Sequence, residues 1–368
     1  MPIVFVYAFP FTVYYLSKEY VPLENIVELQ YKNPGTLYGF SYYGEPHVPY
    51  KMLLLKNRKP DVFVLGTSRS FQIRKEFFVS PERFLNVAVP RPFSDLDTMH
   101  NFIDALPEDG KKRTLFLLLD KRYFTEEYKG KLSTEEDTFI TQFRKLIGKP
   151  LRLVYLDYFS HRYSLHDLVN ASIHTNNRIG LWALVSGTGY RLDGTHQEEY
   201  ATKRADRKNL LHREIESRLD QIKHYDLTLL QKEEALIPKN IKALNDFLLL
   251  CKERNITVIG FIPPDPREVS ALLNKGNTPY SQSQIKLTKN IASVFLDNNQ
   301  KFFNLSSIEG FGGSDDEFID LIHGGDLLYA RAFLFMATQD VSLRQHINVK
   351  ALQEMIKSTH DDFLAIPY

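Results

Sequence analysis

The chain has 368 residues, 43% hydrophobic and 25% charged, a balance that supports a sizeable buried core and excludes collagen-like and disordered polymers. Basic and acidic residues number 46 and 45, and the net charge of +1 gives no electrostatic reason to expect nucleic acid as a partner. The single cysteine, Cys251, rules out an intramolecular disulfide and a zinc site built from cysteines.

From Met1 to Ser17 no side chain is charged, and the apolar run from Ile3 to Phe9 continues through Pro10 to Tyr14, Tyr15 and Leu16. A membrane-spanning helix needs about 20 apolar residues, and a secretory signal carries a basic stretch ahead of its apolar core. This segment is slightly short and lacks that stretch. Residues 1–20 are read as a membrane anchor or signal segment whose start lies upstream, with tyrosines at the interface. The alternative is a buried strand or a packed N-terminal arm. With an anchor, the rest of the chain faces an extracytoplasmic space.

Short apolar runs bounded by breakers predict strands at 61–65, 84–89, 114–119, 256–262 and 302–305. Helical patterns at 96–106, 241–254 and 284–297 lie between them. Strands alternating with helices imply a parallel sheet covered on both faces, which is a three-layer α/β/α sandwich spanning residues 50–368. Residues 123–235 break the alternation and read as a helical insert, either a lid over a site or a peripheral packing subdomain. Its aromatics Tyr155, Tyr158, Phe159, Trp182 and Tyr190 suit sugar stacking or the insert's own core.

The run from Val62 to Leu65 ends abruptly in Gly66-Thr67-Ser68, followed by Arg69 and Ser70. This pattern places a hydroxyl beyond the carboxyl end of a buried strand, where reactive groups collect in open parallel sheets. Ser68 then begins a helix over 69–75, either as a nucleophile or simply as its N-cap. Near the other terminus, Asp320 stands three residues before His323, and one helical turn lets the carboxylate orient the imidazole. Gly324-Gly325 and a helix over 327–338 follow. Of the eleven histidines, His161, His166, His174, His196, His212 and His224 lie in the polar insert. There is no His-Glu-x-x-His pattern, so no metal is expected, and nothing calls for a cofactor. Ser68, His323 and Asp320 together supply nucleophile, base and orienting acid.

The Gly66-Thr67-Ser68 turn after a strand, with Asp320-x-x-His323 near the C-terminus, resembles the SGNH (GDSL-like) hydrolase superfamily. Leu65-Gly66-Thr67-Ser68-Arg69-Ser70, the apolar N-terminus and the large insert are most similar to its membrane-anchored branch, which includes D-alanyl-lipoteichoic acid transfer and alginate O-acetylation proteins. The resemblance covers about residues 60–119 and 256–337 and leaves the insert unexplained. It implies a parallel-sheet (SGNH/flavodoxin-like) fold, a Ser68–His323–Asp320 triad, and location in the cell envelope. It also implies an acylated carbohydrate or other ester substrate and a membrane acyltransferase partner.

The family's second and third blocks offer a glycine and an asparagine to the oxyanion. Here those neighbourhoods hold Asn86 to Arg91 and Asp120, and a carboxylate does not donate. Arg69, Asn86, Arg91 and Asp120 are thus the oxyanion or substrate candidates. The expected activity is that of an esterase or O-acyltransferase on an envelope polysaccharide. The alternative from another class is an inactive carbohydrate-binding or scaffold protein of the same fold. A nucleotide-binding flavodoxin-like reading lacks the glycine-rich spacing and lysine of a phosphate loop.

Overall fold

The computed structural model describes residues 2–39, 47–90, 95–127, 149–175, 177–198 and 206–359. Among them are strands β1 (Leu37–Tyr38), β2 (Val62–Leu65), β3 (Phe84–Asn86), β4 (Arg113–Leu118), β5 (Arg178–Ile179), β6 (Thr188–Tyr190), β7 (His196–Glu198), β8 (Ile256–Ile262) and β9 (Lys301–Asn304). The chain divides into two compact units, Met1–Leu54 with Leu132–Lys203, and Leu55–Lys131 with Arg204–Tyr368. The span read as one insert is therefore shared between them: its helix Arg207–Lys223 belongs to the second unit.

The second unit is a five-stranded parallel sheet in the order β3-β2-β4-β8-β9 with helices on both faces, a three-layer α/β/α sandwich. Side chains alternate across a strand, so β2, β4 and β8 divide their residues between two layers. Val62, Val64, Phe116, Leu118, Ile259 and Phe261 face a core completed by the helices Asp326–Gln339 and Val349–Ser358. On the opposite face lie the helices Leu227–Glu253 and Pro279–Asp297. A Cβ on Gly260 of β8 would stand 2.2 Å from Phe295 Cζ, so only glycine lets that helix pack so closely.

Chain order reverses between β2 and β4, since β3 follows β2 on one side and β4 lies on the other. The crevice beyond the carboxyl ends of β2 and β4 is the topological switch point, the place where open α/β sheets hold ligands. Ser68 follows β2 and Asp120 follows β4.

In the first unit, the helix Pro2–Ser17 packs Val13 and Tyr14 against Val154, Leu168, Leu181 and Leu184. The N-terminal segment is therefore a packed helix and not a strand. Among the described residues, no helix is long and apolar enough to cross a membrane. A small sheet in the order β5-β1-β6-β7 completes this unit, with the fully buried Lys51 lying 4.2 Å from the centroid of the Tyr190 ring.

One local expectation changes. The helix expected over 69–75 is a single 3-10 turn, Ser68–Ser70, after which the backbone is extended at Arg74. There the Arg74 guanidinium reaches the Asp326 carboxylate at 3.5 Å, both side chains being wholly inaccessible to water. Breaking a buried pair leaves an uncompensated charge and typically costs about 3 to 5 kcal/mol, whereas apolar replacement of both partners is often nearly neutral. Arg74→Leu is thus expected to lower unfolding free energy in urea titrations by about that amount, with most of it recovered in the Arg74→Leu/Asp326→Leu double variant.

Candidate functional site

Ser68 follows a turn that requires glycine at position 66. A Cβ there would lie 2.7 Å from Leu118 Cβ and 2.8 Å from Ser70 Oγ, so any side chain would push the turn off the sheet. Asn86 holds the same turn from beneath. It is fully buried, its Nδ2 donates to the carbonyls of Ser70 (2.8 Å) and Ile73 (3.2 Å), and its Oδ1 accepts from Ala88 N–H. These bonds make Asn86 a brace for the Ser68 turn.

Asp320 and His323 lie on a loop closed by a bridge between Phe318 and Gly324, and not on the helical turn expected from their spacing. Asp320 Oδ1 accepts the backbone N–H groups of Ile322 (2.9 Å) and His323 (2.8 Å), donors that a helix would have given to carbonyls. The same carboxylate approaches His323 Nδ1, at 2.7 Å from Oδ2. His323 Nε2 lies 2.9 Å from Ser68 Oγ. A carboxylate only accepts, so Nδ1 carries the proton and Nε2 presents its lone pair to the serine hydroxyl. Serine, imidazole and carboxylate thus form one hydrogen-bonded chain across 255 residues of sequence. The His323 side chain is 21% exposed, which leaves the chain reachable from solvent.

The Asp320 pKa is held below the ordinary carboxyl range. Burial opposes ionisation, but the imidazole hydrogen bond and charge and the two backbone N–H groups outweigh it. With the folded pKa below the unfolded value of about 4, the ionised carboxylate favours the folded state above that pH. This contribution fades as acid lowers the pH through the folded pKa.

The other candidates divide. Arg91 lies outside the described residues. Asp120 accepts from Arg122 N–H at 3.0 Å and from the Thr67 hydroxyl at 3.5 Å, which ties the ends of β2 and β4 together. Arg69 directs Nη2 to the Pro264 carbonyl and to Asp265 Oδ1 at 3.0 Å. With Lys121 and Arg218 these residues line a cleft that also takes in Ile322 beside the histidine. Lys121 stands 3.8 Å from Asp265. Its pKa is lowered by burial against the pull of Asp265, with the charges of Arg69 and Arg218 pushing the same way as burial. Of the insert aromatics, Tyr190 is fully buried and bonds His47 at 2.7 Å, while Phe159 is exposed.

Sequence reading missed Asp265, Lys121, Arg218, Arg74, Asp326 and Tyr329. For Asp265 a signal exists: the run from Ile256 to Ile262 ends in Pro263-Pro264-Asp265, a polar residue just past a buried strand, as at Ser68. Tyr329 donates its hydroxyl to the Arg69 carbonyl, a pairing across 260 residues with no local trace.

Asp320→Asn keeps an oxygen for the two backbone donors but turns an N–H toward Nδ1, which forces the wrong imidazole tautomer. Reaction of Ser68 with an electrophilic probe should then slow by on the order of 10⁴-fold, with unchanged far-UV circular dichroism. No protein-family model and no curated protein sequence matches this chain.

Proposed function

We propose that this protein is a serine-dependent acyl-transfer enzyme acting on an ester of a cell-envelope polysaccharide or a related acylated substrate. The observation that carries this reading is the hydrogen-bonded chain from Ser68 Oγ through His323 to Asp320, with 2.9 Å and 2.7 Å steps. Such a chain raises the nucleophilicity of a hydroxyl that is otherwise protonated at neutral pH.

In the proposed reaction Ser68 Oγ attacks the acyl carbonyl while His323 Nε2 accepts its proton, and Asp320 stabilises the imidazolium. The Ser68 backbone N–H, which makes no hydrogen bond among the described residues, is available to the developing oxyanion. Collapse of the tetrahedral intermediate breaks the ester bond, and His323 returns the proton to the departing alkoxide. Acyl-Ser68 then passes its acyl group to water, as an esterase, or to a sugar hydroxyl, as an O-acyltransferase. The polysaccharide substrate, the envelope location and a membrane acyltransferase partner rest on the resemblance to the membrane-anchored SGNH branch.

The test is intact-protein mass after exposure to a fluorophosphonate, for the unaltered chain, Ser68→Ala and His323→Ala. A single adduct on the unaltered protein, lost in both variants, is the expected result. Absence of an adduct on correctly folded unaltered protein would overturn the enzyme reading in favour of a carbohydrate-binding or scaffold role.

A further inference from the structure

The helix Arg207–Lys223 carries Arg207, Leu211, Glu214 and Arg218 at spacings of four, three and four residues, which places them on one face. That face follows the segment 316–322 in chain order. Arg207 is buried, and its guanidinium donates to the carbonyls of Asp316, at 3.1 Å, and of Phe318. Leu211 belongs to one apolar cluster with Phe318, and Leu321 packs against the same cluster. A carboxylate oxygen of Glu214 accepts the Leu321 N–H at 3.1 Å. Arg218 lines a cleft together with Leu321 and Ile322.

The bonds that shape the Asp320–His323 loop do not fix where the loop points. Ile319 N–H donates to the His323 carbonyl at 2.7 Å, and Asp320 Oδ1 takes the N–H groups of Ile322 and His323, so these bonds travel with the loop. Its bearing on Ser68 depends on attachments to other elements. One is the helix Asp326–Gln339, whose Arg331 donates Nε–H to Glu317 at 2.8 Å, at the base of the loop. Arg207 secures that base from the other helix. Glu214 acts at the tip: Leu321 stands between Asp320 and His323, and a carboxylate that accepts a backbone N–H makes a charge-assisted bond, stronger than a neutral one. The helix that carries Glu214 is itself well seated, with Ile215 and Ile222 buried in a cluster with Val269, Leu273 and Tyr280.

We propose that Glu214 is a positioning residue for the acyl-transfer reaction, and that its bond to the Leu321 N–H holds the loop where His323 Nε2 meets the Ser68 hydroxyl. The proposal rests on the acyl-transfer reading, because it concerns the same serine and histidine. Glu214 touches no reacting atom and acts through Leu321. Without its oxygen the loop keeps the bonds made by Asp320 but loses the brace at its tip. A misplacement of about 1 Å in a reacting group costs on the order of 100-fold in rate.

The test is the rate of fluorophosphonate labelling of Ser68 against probe concentration, for the full unaltered chain and for Glu214→Ala, Glu214→Asp and Glu214→Gln. Alanine suits a helix interior and removes the acceptor, aspartate keeps the charge but draws it back from Leu321, and glutamine keeps an oxygen at full reach. The limiting rate is expected to fall about 10- to 100-fold in Glu214→Ala and Glu214→Asp, and Glu214→Gln to recover most of it. The probe concentration giving half the limiting rate should stay the same, since the brace bears on proton transfer and not on probe binding. The urea unfolding midpoints should match that of the unaltered chain. Labelling of Glu214→Ala and Glu214→Asp at the unaltered rate overturns the proposal, as does Glu214→Gln being as slow as Glu214→Ala. Slower labelling that merely tracks a loss of stability in urea overturns it too. An unaltered chain that takes up no probe is a different result, which overturns the acyl-transfer reading and the positioning role with it.

Discussion

The hydrogen-bonded chain of Ser68, His323 and Asp320 depends on how one helix is fastened to one turn. The helix Asp326–Gln339 begins three residues after His323, and two of its side chains reach the segment that begins at Ser68. Asp326 pairs with Arg74 in the interior, and Tyr329 donates to the Arg69 carbonyl, one residue beyond Ser68. A hydrogen bond of 2.9 Å between groups 255 residues apart cannot be held by local chain stiffness. It needs rigid bodies brought into register, and here the sheet carries the serine while the helix carries the histidine loop. Burial makes the fastening selective. An arginine and an aspartate wholly withdrawn from water tolerate little displacement, since separation leaves two desolvated charges without compensation.

The same turn is also the meeting point of the unit's charges. Asp265, at the end of β8, accepts from Arg69 and lies near Lys121, so one carboxylate faces two cations across the mouth of the sheet. Arg218, from the helix Arg207–Lys223, adds a third positive group and donates to Tyr280 at 3.0 Å. The helix that supplies Arg218 falls within the span read from sequence as an insert. A peripheral element thereby contributes a wall of the cleft in its own unit. The excess of positive charge favours an anion in this cleft, and low local dielectric strengthens that attraction relative to bulk water.

Much of the second unit was legible because its strands are buried on both faces. An unbroken apolar run as short as Ile256–Ile262 suits a strand covered on both sides, and the alternation of such runs with helices predicted the parallel sheet. The Ser68, Asp320 and His323 positions were legible from residue type and spacing. Local conformation was less so. The helix expected at 241–254 runs from Leu227 to Glu253 and passes through Pro238, which a sequence reading takes as a break. The strand expected through Val89 ends at Asn86, where the side chain takes the Ala88 N–H. Asp320 likewise diverted backbone donors and opened a loop where spacing predicted a helical turn. At Asn86 and Asp320 a side-chain bond overrode a local rule, and such bonds leave no periodic signal.

Position 120 shows how the cleft bears on the chemistry. The SGNH resemblance places an amide donor there, whereas this chain has a carboxylate that accepts from Thr67 and Arg122. A carboxylate so near the nucleophile turn disfavours a developing oxyanion unless positive charge offsets it. Arg69 and Lys121 both interact electrostatically with Asp120 and both line the adjoining cleft. Under the proposed reaction, oxyanion stabilisation therefore shifts from a neutral amide to a cationic field shared with substrate binding.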